Sequence, residues 1–414
     1  MKVYKFGGAS IKDAASVKNI ATVLKTVGYK NILMVVSAMG KTTNTLERLV
    51  QMYFSKQDID ASIAQIAQDH LQITTTLFLS THSIFEEIDV FFSDIKIFFQ
   101  RNKSPSYDFV YDQIVSFGEL ISTKIISEYL RLIGIENEWL DVRDYIKTDV
   151  NYRQANVDWQ ETAKRIGILK KDAFYVTQGF IGSDFNGFTT TLGREGSDYT
   201  AAIFAWCLDG ESQTIWKDVP GVLNADPRYF SETKLLQQLS YEEAIELAYY
   251  GASVIHPKTL QPLQDKSIPL YVRSFLNLKQ PGTSVKKGPM LLPMLPCYIL
   301  KKNQVLLSFS SKDFAFIAEH NISEIFKIFA EFAIKVNLMQ SSAISFSVCI
   351  EDTFKHLEHF LEKWQNQYRM RISRGVSLYT LRHYDAESMT KISSNKNILL
   401  RQLTTDTAQW VVEE

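Results

Sequence analysis

The chain is poor in features that announce a function at first sight. It has three cysteines in 414 residues, Cys207, Cys297 and Cys349. They lie far apart with no CxxC pair, which argues against both a zinc site and a disulfide framework. No run of eighteen apolar residues occurs, so no membrane-spanning helix is expected. "MKVYKFGGAS" lacks the pattern of a secretory leader, and the cytoplasm is the expected compartment. The formal net charge is -1, giving no overall attraction to nucleic acid or an anionic membrane, so neither is expected as a partner. Any charged ligand must be held by local groups. What is present is ordinary for soluble globular protein, 45% hydrophobic and 22% charged residues. The length suits two or three domains with a large core.

Over residues 1–285, short apolar strands such as "VYKF", "NILMVVSA", "AFYVTQGF" and "QTIWKDV" alternate with helical patterns. That order predicts an α/β architecture, a mostly parallel sheet sandwiched by helices. Residues 45–132 interrupt it with helix-like stretches that form an excursion flanking a cleft. Four of the ten prolines fall in "KQPGTSVKKGPMLLPMLP" (279–296), and residues 286–302 are read as a linker. Beyond it, residues 303–375 run strand, helix, strand, strand, helix, strand, a βαββαβ unit of α+β type. Residues 376–414 supply further strands but little helix. They read as an abbreviated second copy that borrows its packing from the first.

Several motifs stand out, each beside a plainer reading. "SAMGKTTN" fails as a P-loop, because the required first glycine is Val35. In "YKFGGAS", Gly7 and Gly8 follow the first strand and precede a helical run, so backbone N–H groups and Lys5 can approach a phosphate; a structural Gly-Gly turn is the alternative. "TLGREGSDYTAA" (191–202) sets Arg194, Glu195, Ser197 and Asp198 between a hairpin, signalled by Asn186-Gly187, and an apolar helix. Glu119 in "SFGELIST" reads as an acid at the start of a helix. In "WKDVPGVLNADPR", Asp218, Asp226 and Arg228 follow a strand among turns. His256 reads as packing, and "HLEH" (356–359) as a solvated helix face, since no third metal ligand is evident. No residue is assigned to a metal.

In this order, "KFGGAS", "VSAMGKTTN", "FGELIST", "TLGREGSDYTAA", "WKDVPGVLNADPR", "YGASVIHPKT" and "PGT" resemble the aspartokinases of the amino-acid kinase family. The resemblance spans the whole chain, because those enzymes carry C-terminal ACT domains of βαββαβ form. It implies an amino-acid kinase domain at 1–285, an ACT domain at 303–375 and an ACT-like segment at 376–414. It also implies transfer of the γ-phosphoryl of MgATP to the β-carboxylate of L-aspartate. The product, 4-phospho-L-aspartate, leads towards lysine, threonine and methionine. ATP and Mg2+ are the implied cofactors, and a homodimer formed through the ACT region the implied assembly.

By matched motif, Lys5, Gly7, Gly8 and Ser10 would cradle the β- and γ-phosphates, with Asp198 orienting Lys5. Arg194 would grip the α-carboxylate of aspartate. Glu119 would accept its α-ammonium, Thr43 would bond a carboxylate, and Ser197 would present the helix N-terminus. Lys217, Asp218, Asp226 and Arg228 would line the nucleotide site. The chain departs from the family at Glu195, where glycine is usual, and at Ser253, where lysine is usual. Lys217 or Lys258 would then supply the missing charge. Lysine is the effector the family implies first, with insensitivity as the rival, because no carboxylate occurs in "VNLMQSSAISFSV" (336–348). A glutamate or acetylglutamate kinase and a catalytically weak amino-acid sensor are the competing readings.

Overall fold

The computed structural model describes residues 1–252, 255–312, 316–352, 356–364, 366–394 and 396–413. The chain divides into two compact units. One comprises residues 1–222 with 235–245 and 254–292; the other comprises 223–234 and 246–253 with 293–414.

The first unit is built on apolar runs too short for helices, those of the central strands Ile32–Val36 and Phe174–Gln178 buried along their whole length. β1 (Lys2–Phe6) is followed by α1 (Ala14–Val27) and β2 (Ile32–Val36). Then come α2 (Thr42–Phe54), α3 (Asp60–Leu77), α4 (Ile84–Arg101) and the 26-residue α5 (Tyr107–Leu132). These four helices are the expected excursion, and their apolar stripes join α1 in one core. β3 (Glu138–Leu140), α6 (Val142–Tyr145), α7 (Trp159–Ile166) and β4 (Phe174–Gln178) follow. β5 (Ile181–Ser183) and β6 (Thr189–Thr191) form the antiparallel hairpin. Asp184 shapes its turn by accepting from the backbone N–H of Asn186 and Phe188, both at 2.9 Å, with Gly187 at φ 84°. α8 (Gly196–Cys207) and β7 (Ser212–Lys217) precede β8 (Gln238–Leu239), α9 (Tyr241–Tyr250), α10 (Pro257–Asp265), β9 (Leu270–Ser274), β10 (Thr283–Val285) and β11 (Leu291–Leu292).

The strand order is β11-β8-β10-β9-β7-β1-β2-β4-β3. Pairing is parallel from β9 through β7, β1, β2 and β4 to β3, and antiparallel between β9 and β10. β1 sits between β2 and β7, where successive strands are laid down on opposite sides. Such a switch point is where open α/β sheets place their ligands.

In the second unit, β12 (Cys297–Ser311), α11 (Glu319–Glu331), β13 (Lys335–Ser341), β14 (Ser345–Glu351), α12 (Leu357–Trp364) and β15 (Tyr368–Arg382) give the βαββαβ order. α13 (Ala386–Ser393), β16 (Asn397–Leu403) and β17 (Thr407–Glu413) follow. All six strands form one sheet, ordered β13-β14-β12-β15-β17-β16. The stretch 286–302, expected to be linker, holds β11 and the start of β12. Cys297 and Ile299 are buried at strand spacing there, a period that the surrounding prolines obscure. β12 pairs with β15 along both strands, so Cys297–Lys301 lies against Leu378–Arg382 and Val305–Ser311 against Tyr368–Arg374. The abbreviated copy therefore takes a strand from ahead of the complete one.

Candidate active site

Two loops meet at the C-terminal ends of β1 and β2. A Cβ placed on Gly8 would lie 2.9 Å from the carbonyl oxygens of both Ala38 and Gly40. Only glycine lets these backbones pass, and Gly40 N–H donates to Gly8 O at 3.2 Å. Ser10 Oγ donates to Gly7 O at 2.6 Å, closing the turn from its own side. Side chains are thus cleared from Gly7 and Gly8, leaving a surface that a phosphate can approach. Lys5, 7% exposed, stands behind it, and a Cβ on Gly7 would come within 3.3 Å of its Nζ.

Lys5 Nζ lies 2.6 Å from Oδ1 of Asp198, which is fully buried in the first turn of α8. The contact is one of charge: neither Asp198 oxygen has an aligned hydrogen-bond donor among the described residues. A buried ion pair with unused acceptor capacity is costly as architecture alone.

The turn into α8 is tightly wedged. A Cβ on Gly179 would fall 2.5 Å from Ser197 Cβ, and one on Gly196 would fall 2.7 Å from Phe180 Cδ2. Ser197 is accordingly buried, while Arg194 and Glu195 project into solvent. Glu195 adopts the left-handed conformation, φ 55° and ψ 26°, which glycine adopts without strain. Its carboxylate does not crowd the buried pair.

Glu119 is placed differently from expectation. It lies in the middle of α5, not at a helix start, because Gly118 lets the helix pass Ala38 instead of breaking it. A Cβ on Gly118 would be 3.0 Å from Ala38 Cβ. Glu119 Oε1 accepts from Ala38 N–H at 3.3 Å, and Oε2 has no partner among the described residues. Complete burial pushes its carboxyl up to about 8. A helix-dipole role is thereby removed, and a fully buried carboxyl in mid-helix remains. Thr43 sits half-buried in the first turn of α2.

Lys217 ends β7, one residue past the register pair Phe6–Trp216, and is half-buried; Asp218 follows it, exposed. Asp226 and Arg228 belong to the second unit and fork onto each other, Nε at 3.0 Å from both oxygens and an outer nitrogen at 2.5 Å from Oδ2. Lys258 lies in the first turn of α10, its N–H bonded by His256 Nδ1, so His256 is a helix cap. Ser253 lies outside the described residues. His356 is not a solvated face residue: its Nδ1 lies 3.0 Å from Phe332 O. Among the described residues no group of three or more His, Cys, Asp or Glu side chains is disposed to hold a metal.

Sequence reasoning missed Asp112. It is fully buried on α5, and burial pushes it up to about 6 although Arg153 and Thr191 donate to it. The available signal was an acid seven residues before Glu119, on the apolar face of a helix.

The Amino acid kinase family pattern matches residues 1–274. The chain is 32% identical over 361 residues to the lysine-sensitive aspartokinase 3 of Escherichia coli K12, covering 85% of this chain and 78% of that protein. Its structure is similar to that of E. coli aspartokinase III with lysine and aspartate, at a TM-score of 0.83 and 28% identity over 100% of this chain and 96% of the other. The same enzyme with aspartate and ADP superposes at 0.82, with the same identity and coverage. No helix of the described residues is long and apolar enough to cross a membrane.

Proposed function

Since the chain belongs to the amino acid kinase family, and within it to the aspartokinases, it transfers the γ-phosphoryl of ATP to the β-carboxylate of aspartate, and we propose that the Lys5–Asp198 pair carries the reacting end. The single observation behind this is that buried pair, held 2.6 Å apart behind a side-chain-free glycine turn at the sheet's switch point. Aspartate's β-carboxylate is ionised at neutral pH, its reference pKa being about 3.9, so no general base is needed. What the reaction needs is in-line placement and neutral surroundings for charge spreading over the transferred group. Lys5 supplies positive charge, Gly7, Gly8 and Ser10 the phosphate-facing surface, and Asp198 the fixed orientation of the ammonium.

At the amino-acid end, Glu119 accepts the α-ammonium, Arg194 forks onto the α-carboxylate, and Thr43 and Ser197 complete its polar contacts. Lys217 and Asp218 face the nucleotide, and Lys217 or Lys258 supplies a further positive charge there. Mg2+ fits as an ion carried on the nucleotide phosphates rather than caged by protein, the usual habit of magnesium. Asp198, with acceptor capacity unused, is the carboxylate that would meet its shell. When bound it neutralises phosphate charge.

We also propose a cytoplasmic homodimer joined through residues 303–414, with 336–348 at the contact. β13 is an edge strand whose Met339 is exposed, and so is Ile344 in the turn beyond it, and an uncovered edge invites a second strand. Lysine is the first effector to test. Asn337 Oδ1 already accepts from Lys301 Nζ at 2.8 Å, so a cationic effector must have its charge met elsewhere.

The test is ADP release from aspartate, glutamate and acetylglutamate, with and without lysine, threonine and methionine, on wild type and Arg194→Lys. Aspartate alone should be a substrate, and Arg194→Lys should weaken aspartate by about 10-fold or more while sparing ATP. Loss of ATP affinity with aspartate affinity retained would reverse the assignment of the turn. Sedimentation that finds a monomer at micromolar concentration would dispose of the dimer.

A further inference from the structure

Asp112 is a fully buried carboxylate of the first unit, outside the residues assigned above, whose hydrogen bonds reach two other segments of the chain. Its Oδ1 accepts from Thr191 Oγ1 at 2.8 Å and from Arg153 N–H at 3.1 Å. Its Oδ2 accepts from Thr191 N–H at 2.8 Å and from the same Arg153 N–H at 3.0 Å. Three donors from two separate segments therefore converge on one side chain with no exposed surface. Each segment leads to the turn before α8. Thr191 ends β6, three residues before Arg194. Arg153, held left-handed at φ 67°, places its carbonyl oxygen 3.3 Å from where a Cβ on Gly193 would stand. Thr191 O closes the circuit by accepting from Ala155 N–H at 2.9 Å. On the helix side, Asp112 and Glu119 are seven residues apart, two turns of α5 on one face. Asp112 thus anchors the helix that carries Glu119 to the strand and loop that carry Arg194.

We infer that Asp112 is a positioning residue for the amino-acid end of the substrate: it fixes the separation between Glu119 and Arg194, and hence which α-amino acid the two can hold at once. The inference rests on the assignment of those two residues to aspartate. Neither Lys5 nor the glycine turn bonds to Asp112, so the nucleotide end is outside its reach. Asp112→Asn keeps the size but turns an –NH2 towards N–H donors, breaking the clamp. Thr191→Val removes one of its bonds and keeps the β-branched shape that suits a strand.

The experiment is steady-state kinetics of the full chain with aspartate and ATP varied separately, alongside thermal melting. Asp112→Asn should raise the aspartate KM about tenfold or more and move the ATP KM less than twofold. Thr191→Val should raise the aspartate KM about threefold, and the double variant should do no worse than Asp112→Asn, since both break one clamp. Thr191→Val carries the test alone if Asp112→Asn does not fold. Equal shifts in both KM values, or an aspartate KM within twofold of wild type in folded variants, would overturn the inference. Glu119→Gln and Arg194→Lys serve as controls. If they raise the aspartate KM and the clamp variants do not, Asp112 alone is misassigned. If they too leave it unchanged, the site reading beneath it has failed.

Discussion

Binding of aspartate should expel a proton from the protein. Glu119 is completely buried, with Oε2 unpartnered among the described residues, and its carboxyl is raised from 4.5 to about 8 by desolvation. At pH 7 a group of that pKa is about 0.9 protonated in the free enzyme. An α-ammonium arriving against it removes the reason for holding the proton, so roughly 0.9 proton leaves per aspartate at pH 7 and roughly 0.1 at pH 9. The assay is titration calorimetry at pH 7 in buffers of different ionisation enthalpy, whose slope counts protons. Glu119→Gln should abolish the release and weaken aspartate. The same residue sets a sign for stability. The folded pKa lies above the unfolded one, so the folded form binds the extra proton, and its contribution to stability falls as pH rises from about 4.5 to about 8. At pH 7 the deficit is on the order of 3 kcal/mol, which Glu119→Gln should remove from the free enzyme. A proton count near zero at pH 7, or release that persists in Glu119→Gln, would refute the reasoning.

Lys5→Ala should lower turnover by ~10²–10³ while changing the aspartate KM far less, read from coupled ADP release; near-normal turnover would put the phosphate site elsewhere. Glu195→Gly should raise stability by up to about 1 kcal/mol, because φ 55° strains any residue with a Cβ, and thermal melting checks it. Gly8→Ala must push apart the Ala38 and Gly40 carbonyls, so it should destabilise by about 1–3 kcal/mol and raise the ATP KM; unchanged kinetics would separate that turn from the nucleotide.

Signals local to the chain were legible in the sequence. Asn186-Gly187 marked a hairpin because turn chemistry is settled within five residues, and Asp184 supplies the bonds that do it. Lys5, Gly7 and Gly8 could be singled out because a strand followed by glycines and a helix is visible in one dimension, but a structural turn reads the same way there, and the phosphate role came from the family resemblance. Glu119 was misplaced because Gly118 looks like a breaker in one dimension; only the packing of Ala38 against it shows why a glycine is needed mid-helix. The start of β12 was hidden by Pro293 and Pro296, which announce a loop before a buried period of two has room to declare itself. Asp112 could be seen as an acid on the apolar face of a helix, but its role could not. Its partners, Arg153 and Thr191, lie 41 and 79 residues away, and nothing in the neighbourhood of "YDQIV" names them.

The long pairing of β12 with β15 bears on where the second unit can be shortened. Ser311 and Tyr368 are register partners, so everything from 312 to 367 leaves and rejoins one hairpin at a single rung. The complete half is in that sense a cassette slotted into the hairpin of the abbreviated half, and a short turn across that rung would heal the excision. The edge at Val305–Ser310, now paired with β14, would then be open. Excision at that rung leaves the pairing of Cys297–Lys301 with Leu378–Arg382 untouched. Cuts at 302 or 375 sever that hairpin instead, and leave neither piece with a whole strand.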